Sequence, residues 1–248
     1  MIINLIKSAI ASFIKYLGYG IYKIEFLKAI EEQEKRRETR WLENLNIKTI
    51  LDIGANQGQF AKYIHRIIPQ AKIYSFEPLQ DCFKELILNL TELPHSKGFN
   101  LALGDVTGES IIHNNSYSQS SSMLPMLESH EKAFPFSKGK IHEEKIKIMR
   151  LDDIEQQLEI EIKKPILIKI DVQGFEDKVI LGGLQLIKQA DVLIIEMSTL
   201  PLYEGQLLFD NLYHLIKSLG FKYQGNLTQL NSAVDGKVVQ VDGIFVKD

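Results

Sequence analysis

The sequence predicts an α/β protein: a mostly parallel, doubly wound sheet with an antiparallel hairpin on one edge, preceded by a helical segment. Three observations carry this expectation. From Thr49 onward, short runs rich in Ile, Leu and Val alternate with stretches of helical spacing, the pattern of parallel strands joined by crossover helices. The apolar run Leu51–Ala55 enters a glycine-containing turn that opens into a helix. Finally, FKYQGN (221–226) and VDGIFVKD (241–248) are two candidate strands separated by a turn-rich stretch and able to pair at the sheet edge.

The first thirty residues are apolar but carry Lys7, Lys15, Lys23, Glu25 and Lys28, which leaves no charge-free run of the ~18 residues that a membrane-spanning helix needs. No span is expected, and no leader with a basic start and small-residue cleavage site. Ile3, Ile6, Ile10, Phe13, Ile14 and Leu17 share one helical face. That face fits packing on the domain or a second subunit, giving a homo-oligomer, or peripheral contact with a membrane surface. The mixed charges of Glu31–Arg40 read as a solvated helix, so the segment is bounded at 1–44 and the main domain at 45–248.

In the main domain, Phe60, Tyr63, Ile64, Ile67 and Ile68 keep helical spacing until Pro69. Strands are expected at Lys72–Pro78 and Gly98–Asp105, with a helix carrying Phe83, Leu86, Ile87 and Leu90 between them. A stretch from Gly104 to about Lys145 lacks a periodic pattern and reads as a substrate-side insertion over 104–145. Strands resume at KIKIMRLDDI, ILIKIDVQGFE and VLIIEM, and a helix over Leu208–Leu219 stops at Gly220. Of the 248 residues, 29 are basic and 32 acidic, which offers no global attraction to nucleic acid, and no nucleic-acid partner is expected. The single cysteine, Cys82, suits a reducing, cytoplasmic setting, and the six histidines form no zinc-ligand spacing.

In a parallel sheet, ligands sit beyond the carboxyl ends of the strands, and there the candidates cluster: Asp52 to Gly58, Glu77, Asp171 and Glu196. The turn reads G-x-N-x-G over Gly54, Asn56 and Gly58, with Asn56 a residue that tolerates left-handed backbone. Its departure from G-x-G-x-x-G argues against a dinucleotide pyrophosphate. Glu77, 23 residues after Gly54, stands where an acid accepts hydrogen bonds from a ribose diol. Asp52 is open to two roles, a carboxylate facing a cationic ligand or a strand-end acid holding backbone amides. Lys169 and Asp171 leave the same strand face, and the ammonium favours Asp171 as a charge holder over a proton acceptor. Glu176, early in a helix, suits a cap. Glu196, after VLII, needs a partner if buried and is a second catalytic or metal-ligand candidate, although the need for a metal stays open. His113, His130 and His142 lie in the insertion with the intrinsic pKa of a base, His130 being the candidate carried forward.

The segments LDIGANQGQF, YSFEP, ALGD, RLDDI, IKIDVQGFEDKVILGG, IIEM and DGIFV together resemble the FkbM-type methyltransferase family over about residues 45 to 247. The resemblance implies a Rossmann-like class I methyltransferase sheet binding S-adenosylmethionine, with Gly54, Asn56 and Gly58 around the donor and Glu77 at its ribose. It also implies O-methylation of a sugar, glycan or glycosylated natural product. Methyl transfer to nitrogen or a carboxylate, or a catalytically silent donor-binding module anchored by its N-terminal helix, are the alternatives. The first forty residues fall outside the resemblance.

Overall fold

The computed structural model describes residues 39–247 of the chain. Two compact units divide it, residues 1–44 and 45–248, and of the first only the helical residues 39–44 are described. The amphipathic helix expected near the start, and with it the subunit or membrane contact, lies outside the described residues.

The second unit is built on a seven-stranded sheet. Its first half runs β1 (Thr49–Ile53), helix α1 (Gln59–Ile67), β2 (Lys72–Phe76), helix α2 (Gln80–Leu90) and β3 (Ser96–Phe99). A second, three-stranded sheet interrupts it, made of β4 (Ala102–Gly104), β5 (Gly108–Asn115) and β6 (Ile141–Arg150), with the short helix α3 (Glu128–Ala133) before β6. After the one-turn helix α4 (Ile154–Gln157), the main sheet resumes with β7 (Ile166–Ile170), helices α5 (Glu176–Gly182) and α6 (Leu184–Ile187), β8 (Val192–Ser198), helix α7 (Phe209–Ser218), β9 (Lys222–Asn231) and β10 (Val238–Val246).

The strand order is β3-β2-β1-β7-β8-β10-β9. Strands β3, β2, β1, β7 and β8 are parallel, and β10 runs antiparallel to both β8 and β9, so the expected edge hairpin is present. Strand order reverses between β1 and β7, which makes their carboxyl ends the crevice where an open sheet of this kind binds ligand.

Strands β1, β7 and β8 are buried at every position, as expected of central parallel strands covered on both faces. On one face Leu51, Ile53, Ile168, Ile170, Ile195 and Met197 join Val179, Ile180, Leu212 and Ile216 in the main core. Each such side chain stabilises the fold by roughly 1.5–3 kcal/mol through removal from water. Alternation along the strands sends Asp52, Lys169 and Glu196 to the other face. The sequence pattern therefore separates an apolar face that holds the sheet from a charged face at its carboxyl end.

Two expectations are corrected. The single strand expected over Gly98–Asp105 is two strands in two sheets. Asn100 breaks it: its Nδ2 donates to the backbone oxygens of Glu77 and Pro78, both at 2.9 Å, and turns the chain out of the ladder. The insertion, expected to lack regular structure, contains β5, α3 and the first half of β6. Its small core joins Ile112, Ile146 and Ile148 to Leu79, Cys82 and Ala102, so Cys82 is a buried packing residue.

Candidate active site

The turn after β1 uses left-handed backbone three times, at Gly54 (φ 76°), Asn56 (φ 47°) and Gly58 (φ 87°). At Gly54 a second demand is added, because a Cβ there would lie 1.8 Å from the carbonyl oxygen of Asp171. The glycine lets the ends of β1 and β7 touch. Asn56 fixes the turn from both sides. Its backbone N–H donates to Glu77 Oε2 at 2.9 Å, its Oδ1 accepts from Gln57 N at 3.0 Å, and its Nδ2 donates to Ser118 Oγ in the insertion at 3.1 Å. Glu77 also accepts from Leu79 N at 2.8 Å. Burial pushes the Glu77 carboxyl up to about 7, against the pull of those two amides.

Asp52 sits inside the sheet with no exposed surface. Its Oδ2 accepts from Ser75 Oγ at 3.4 Å, while Oδ1 has no hydrogen-bond partner and lies 3.9 Å from Lys169 Nζ. Burial pushes its carboxyl up to about 6, with the Lys169 ammonium opposing the rise. An unpartnered buried carboxylate oxygen is costly, and it marks a place where a cation or donor is in demand.

Across the switch point, Lys169 Nζ donates to Asp171 Oδ2 at 2.9 Å. Burial alone would lower the Lys169 pKa, but the carboxylates of Asp171 and Asp52 outweigh it and hold it above its ordinary value. Asp171 Oδ1 accepts from Gln173 Nε2 at 2.9 Å, and the same nitrogen donates to Glu196 Oε2 at 2.8 Å. Glu196 is 7% exposed and faces Asp242 directly across the β8–β10 ladder. Burial, and then the neighbouring carboxylates of Asp171, Glu176 and Asp242, push Glu196 well above the usual carboxylate range. Carboxylate oxygens of Asp171, Glu196 and Asp242 lie within 4.8 Å of one another, an oxygen set that can hold a hard divalent cation. Glu176 has a different task. Its Oε1 accepts from Val172 N and Gly174 N, each at 3.1 Å, and so caps the turn that carries Gln173.

The insertion closes over this end of the sheet. Ser122 Oγ donates to the Gln173 backbone oxygen at 2.6 Å, Leu127 N to Leu202 O at 2.9 Å, and the Tyr203 hydroxyl to Ser120 O at 3.1 Å. His130, expected as a base, is 1% exposed and packs its ring on Phe134 and Tyr203, with Nδ1 at 3.1 Å from Ser137 Oγ. Burial lowers its pKa to about 4. These contacts place His130 in the apolar core of the insertion. His113 and His142 lie on the second sheet, on β5 and β6. The structure thus gathers Asp52, Gly54, Asn56, Gly58, Glu77, Asp171 and Glu196 around one crevice, and adds three residues that sequence reasoning missed: Gln173, Asp242 and Tyr203. Gln173 lies within IKIDVQGFEDKVILGG and carries a signal, since it neighbours Gly174 in a turn; the other two are brought in by strand register and loop docking.

Residues 52–223 match the family described as the methyltransferase FkbM domain, which is well over half of the chain. The chain is similar to the 2-O-methyltransferase NoeI of Sinorhizobium fredii, 27% identical over 198 residues that cover 77% of each protein. It is also similar to methyltransferase sdnD of Sordaria araneosa, 27% identical over 164 residues, covering 54% of this chain and 59% of that protein. A solved S-adenosylmethionine-dependent methyltransferase from Aquifex aeolicus aligns with 91% of this chain and 100% of its own at 11% identity, with a TM-score of 0.41.

Proposed function

The chain belongs to the FkbM methyltransferase family, and from that premise we propose that it transfers the methyl group of S-adenosylmethionine to a hydroxyl of a sugar, glycan or glycosylated small molecule. The bound donor supplies an electrophilic methyl group on a sulfonium cation. Residues of the crevice fit such a ligand. Asp52 Oδ1, which has no hydrogen-bond partner, and the excess of carboxylates over Lys169, the single buried cation among the described residues, complement positive charge. The turn of Gly54, Asn56 and Gly58 brings backbone close to the ligand, and Glu77 keeps lone pairs for a ribose diol beyond those used by its two amides.

The hydroxyl acceptor is supported by a half-buried, doubly anchored carboxylate of the site. Asp171 is held at Oδ2 by Lys169 and at Oδ1 by Gln173, yet its side chain remains 29% accessible. A carboxylate fixed in this way accepts the hydrogen bond of an incoming hydroxyl and points its oxygen at the methyl group, where in-line geometry dominates the rate. Glu196, whose carboxyl burial holds well above its ordinary range, is the adjacent group able to exchange the proton that the hydroxyl loses. The hydroxyl class also agrees with NoeI being a 2-O-methyltransferase. Labelled S-adenosylmethionine offered with a panel of free sugars, oligosaccharides and glycosides, followed by linkage analysis of the product, tests the proposal. Label on an oxygen of a sugar ring is the expected result; label on nitrogen or a carboxylate overturns it.

A further inference from the structure

We propose that Gln173 is a positioning residue that ties closure of the insertion to the orientation of the Asp171 carboxylate. The inference rests on Asp171 serving the acceptor as described above. Gln173 occupies left-handed backbone at φ 54°, a conformation in which a non-glycine residue is retained only when its surroundings demand it. Its surroundings show the demand. One amide nitrogen spans Asp171 Oδ1 and Glu196 Oε2, using both of its hydrogens on two carboxylates that would otherwise repel. On the other side of the amide, Oε1 accepts from the Tyr203 hydroxyl at 2.9 Å.

The Tyr203 hydroxyl has one proton and stands between two acceptors, Gln173 Oε1 and the Ser120 carbonyl of the insertion. The Gln173 backbone oxygen is itself held by Ser122, two residues further along the insertion. The amide is therefore gripped at both ends: carboxylates fix where its nitrogen points, and the insertion, through Tyr203 and Ser122, fixes where its oxygen and its backbone lie. If the insertion lifts, the Gln173 backbone loses Ser122 and the Tyr203 ring loses its tie to Ser120, so the turn and the tyrosine that hold the amide are freed and the Oδ1 side of Asp171 is less firmly aimed. A seated insertion and an aimed carboxylate become one event.

Three variants separate this from a packing role. Gln173→Met keeps length and loses every polar contact. Gln173→Glu keeps size and the acceptor for Tyr203 but turns an oxygen toward Asp171 and Glu196. Tyr203→Phe removes only the hydroxyl. With a sugar acceptor from the panel above, kcat is expected to fall roughly 10- to 100-fold in both Gln173 variants, the scale of an ångström-level misplacement, with donor Kd unchanged and acceptor KM moving less than kcat. The double variant Gln173→Met/Tyr203→Phe is expected to be no slower than Gln173→Met alone, since both act through one chain of contacts. A wild-type rate in Gln173→Glu, or losses that simply multiply in the double variant, overturns the proposal. Hydrogen exchange without any acceptor provides an independent arm: amides of residues 118–127 are expected to exchange faster in Gln173→Met and Tyr203→Phe, and unchanged exchange in both overturns it. Failure of the wild type to methylate any sugar would sink the acceptor assignment, and the exchange arm then decides the Gln173 linkage alone.

Discussion

Gly54 shows how much chemistry one missing side chain permits. Alanine there would meet the Asp171 carbonyl at 1.8 Å and would also have to adopt φ 76°. Gly54→Ala is expected to destabilise the fold by more than the roughly 1–3 kcal/mol of the backbone conformation alone, read as a lower midpoint in urea. A midpoint equal to wild type would show that β1 and β7 do not touch there. Asp171→Asn preserves shape and removes charge; single-turnover methyl transfer is expected to slow by roughly 100- to 10,000-fold, with donor affinity little changed. Loss of donor binding along with rate would make Asp171 a donor-binding residue. Glu77→Ala is expected to weaken the donor by roughly 1.5–3 kcal/mol for each lost bond to the carboxylate, measured by calorimetric titration. Asp171 and Glu77 were legible in sequence because each follows the end of a strand with a chemistry-bearing side chain, and Gly54 because it opens a glycine turn. The partners of Asp171 and Glu196 were not. Asp242 reaches Glu196 only through the register of β10 on β8, and pairing register leaves no mark within either strand taken alone.

At the scale of elements, the second sheet is where sequence and structure part. Strand β5, GESIIHNN, buries only Ile112 and Asn115 and leaves its other residues half-buried or exposed, so it lacks the apolar alternation that announces a strand. Helix α3 has six residues, too few for a periodic signal. By contrast β1, β7 and β8 are continuous apolar runs, and α1 and α7 are bounded by Pro69 and Gly220 as stop signals, so all five were readable. The small core under the insertion rests on few side chains, which makes each of them count. Ile148→Ala, at a site 3% exposed, is expected to cost about 2–5 kcal/mol, and calorimetric unfolding would show it. A loss below 1 kcal/mol, on the scale of ordinary surface substitutions, would mean that the second sheet is held by its ladder and not by its core.

For the molecule as a whole, the buried acids set a pH dependence with a definite sign. Burial holds Asp52 at about 6 and both Glu77 and Glu176 at about 7, so folding favours their neutral forms. The stability they contribute is complete below the ordinary carboxylate range and is lost as pH rises through about 6 to 7. The donor-free protein is therefore expected to melt several degrees lower near pH 8 than near pH 5.5. Donor affinity is expected to rise over the same interval, as the Asp52 carboxyl, buried behind the crevice, ionises and adds negative charge to the field on a cationic ligand. Melting curves and titrations at the two pH values check both slopes, and a donor Kd that does not change would remove Asp52 from the binding site. The parallel strands and a crevice at their carboxyl ends followed from alternating strands and helices, while the strand order and the branching into two sheets required the structure, with its turn at Asn100, to be seen. The contact of Gly54 with Asp171 joins positions 117 residues apart in the chain. On the ribosome, at about 5–20 residues per second, the nascent glycine turn waits roughly 6 to 23 s before the strand that braces it has been made. Until then β1 has only β2 to pair with, and the newly synthesised chain is blind to its donor: it presents bare apolar strand to chaperones before it presents a binding site to any small molecule.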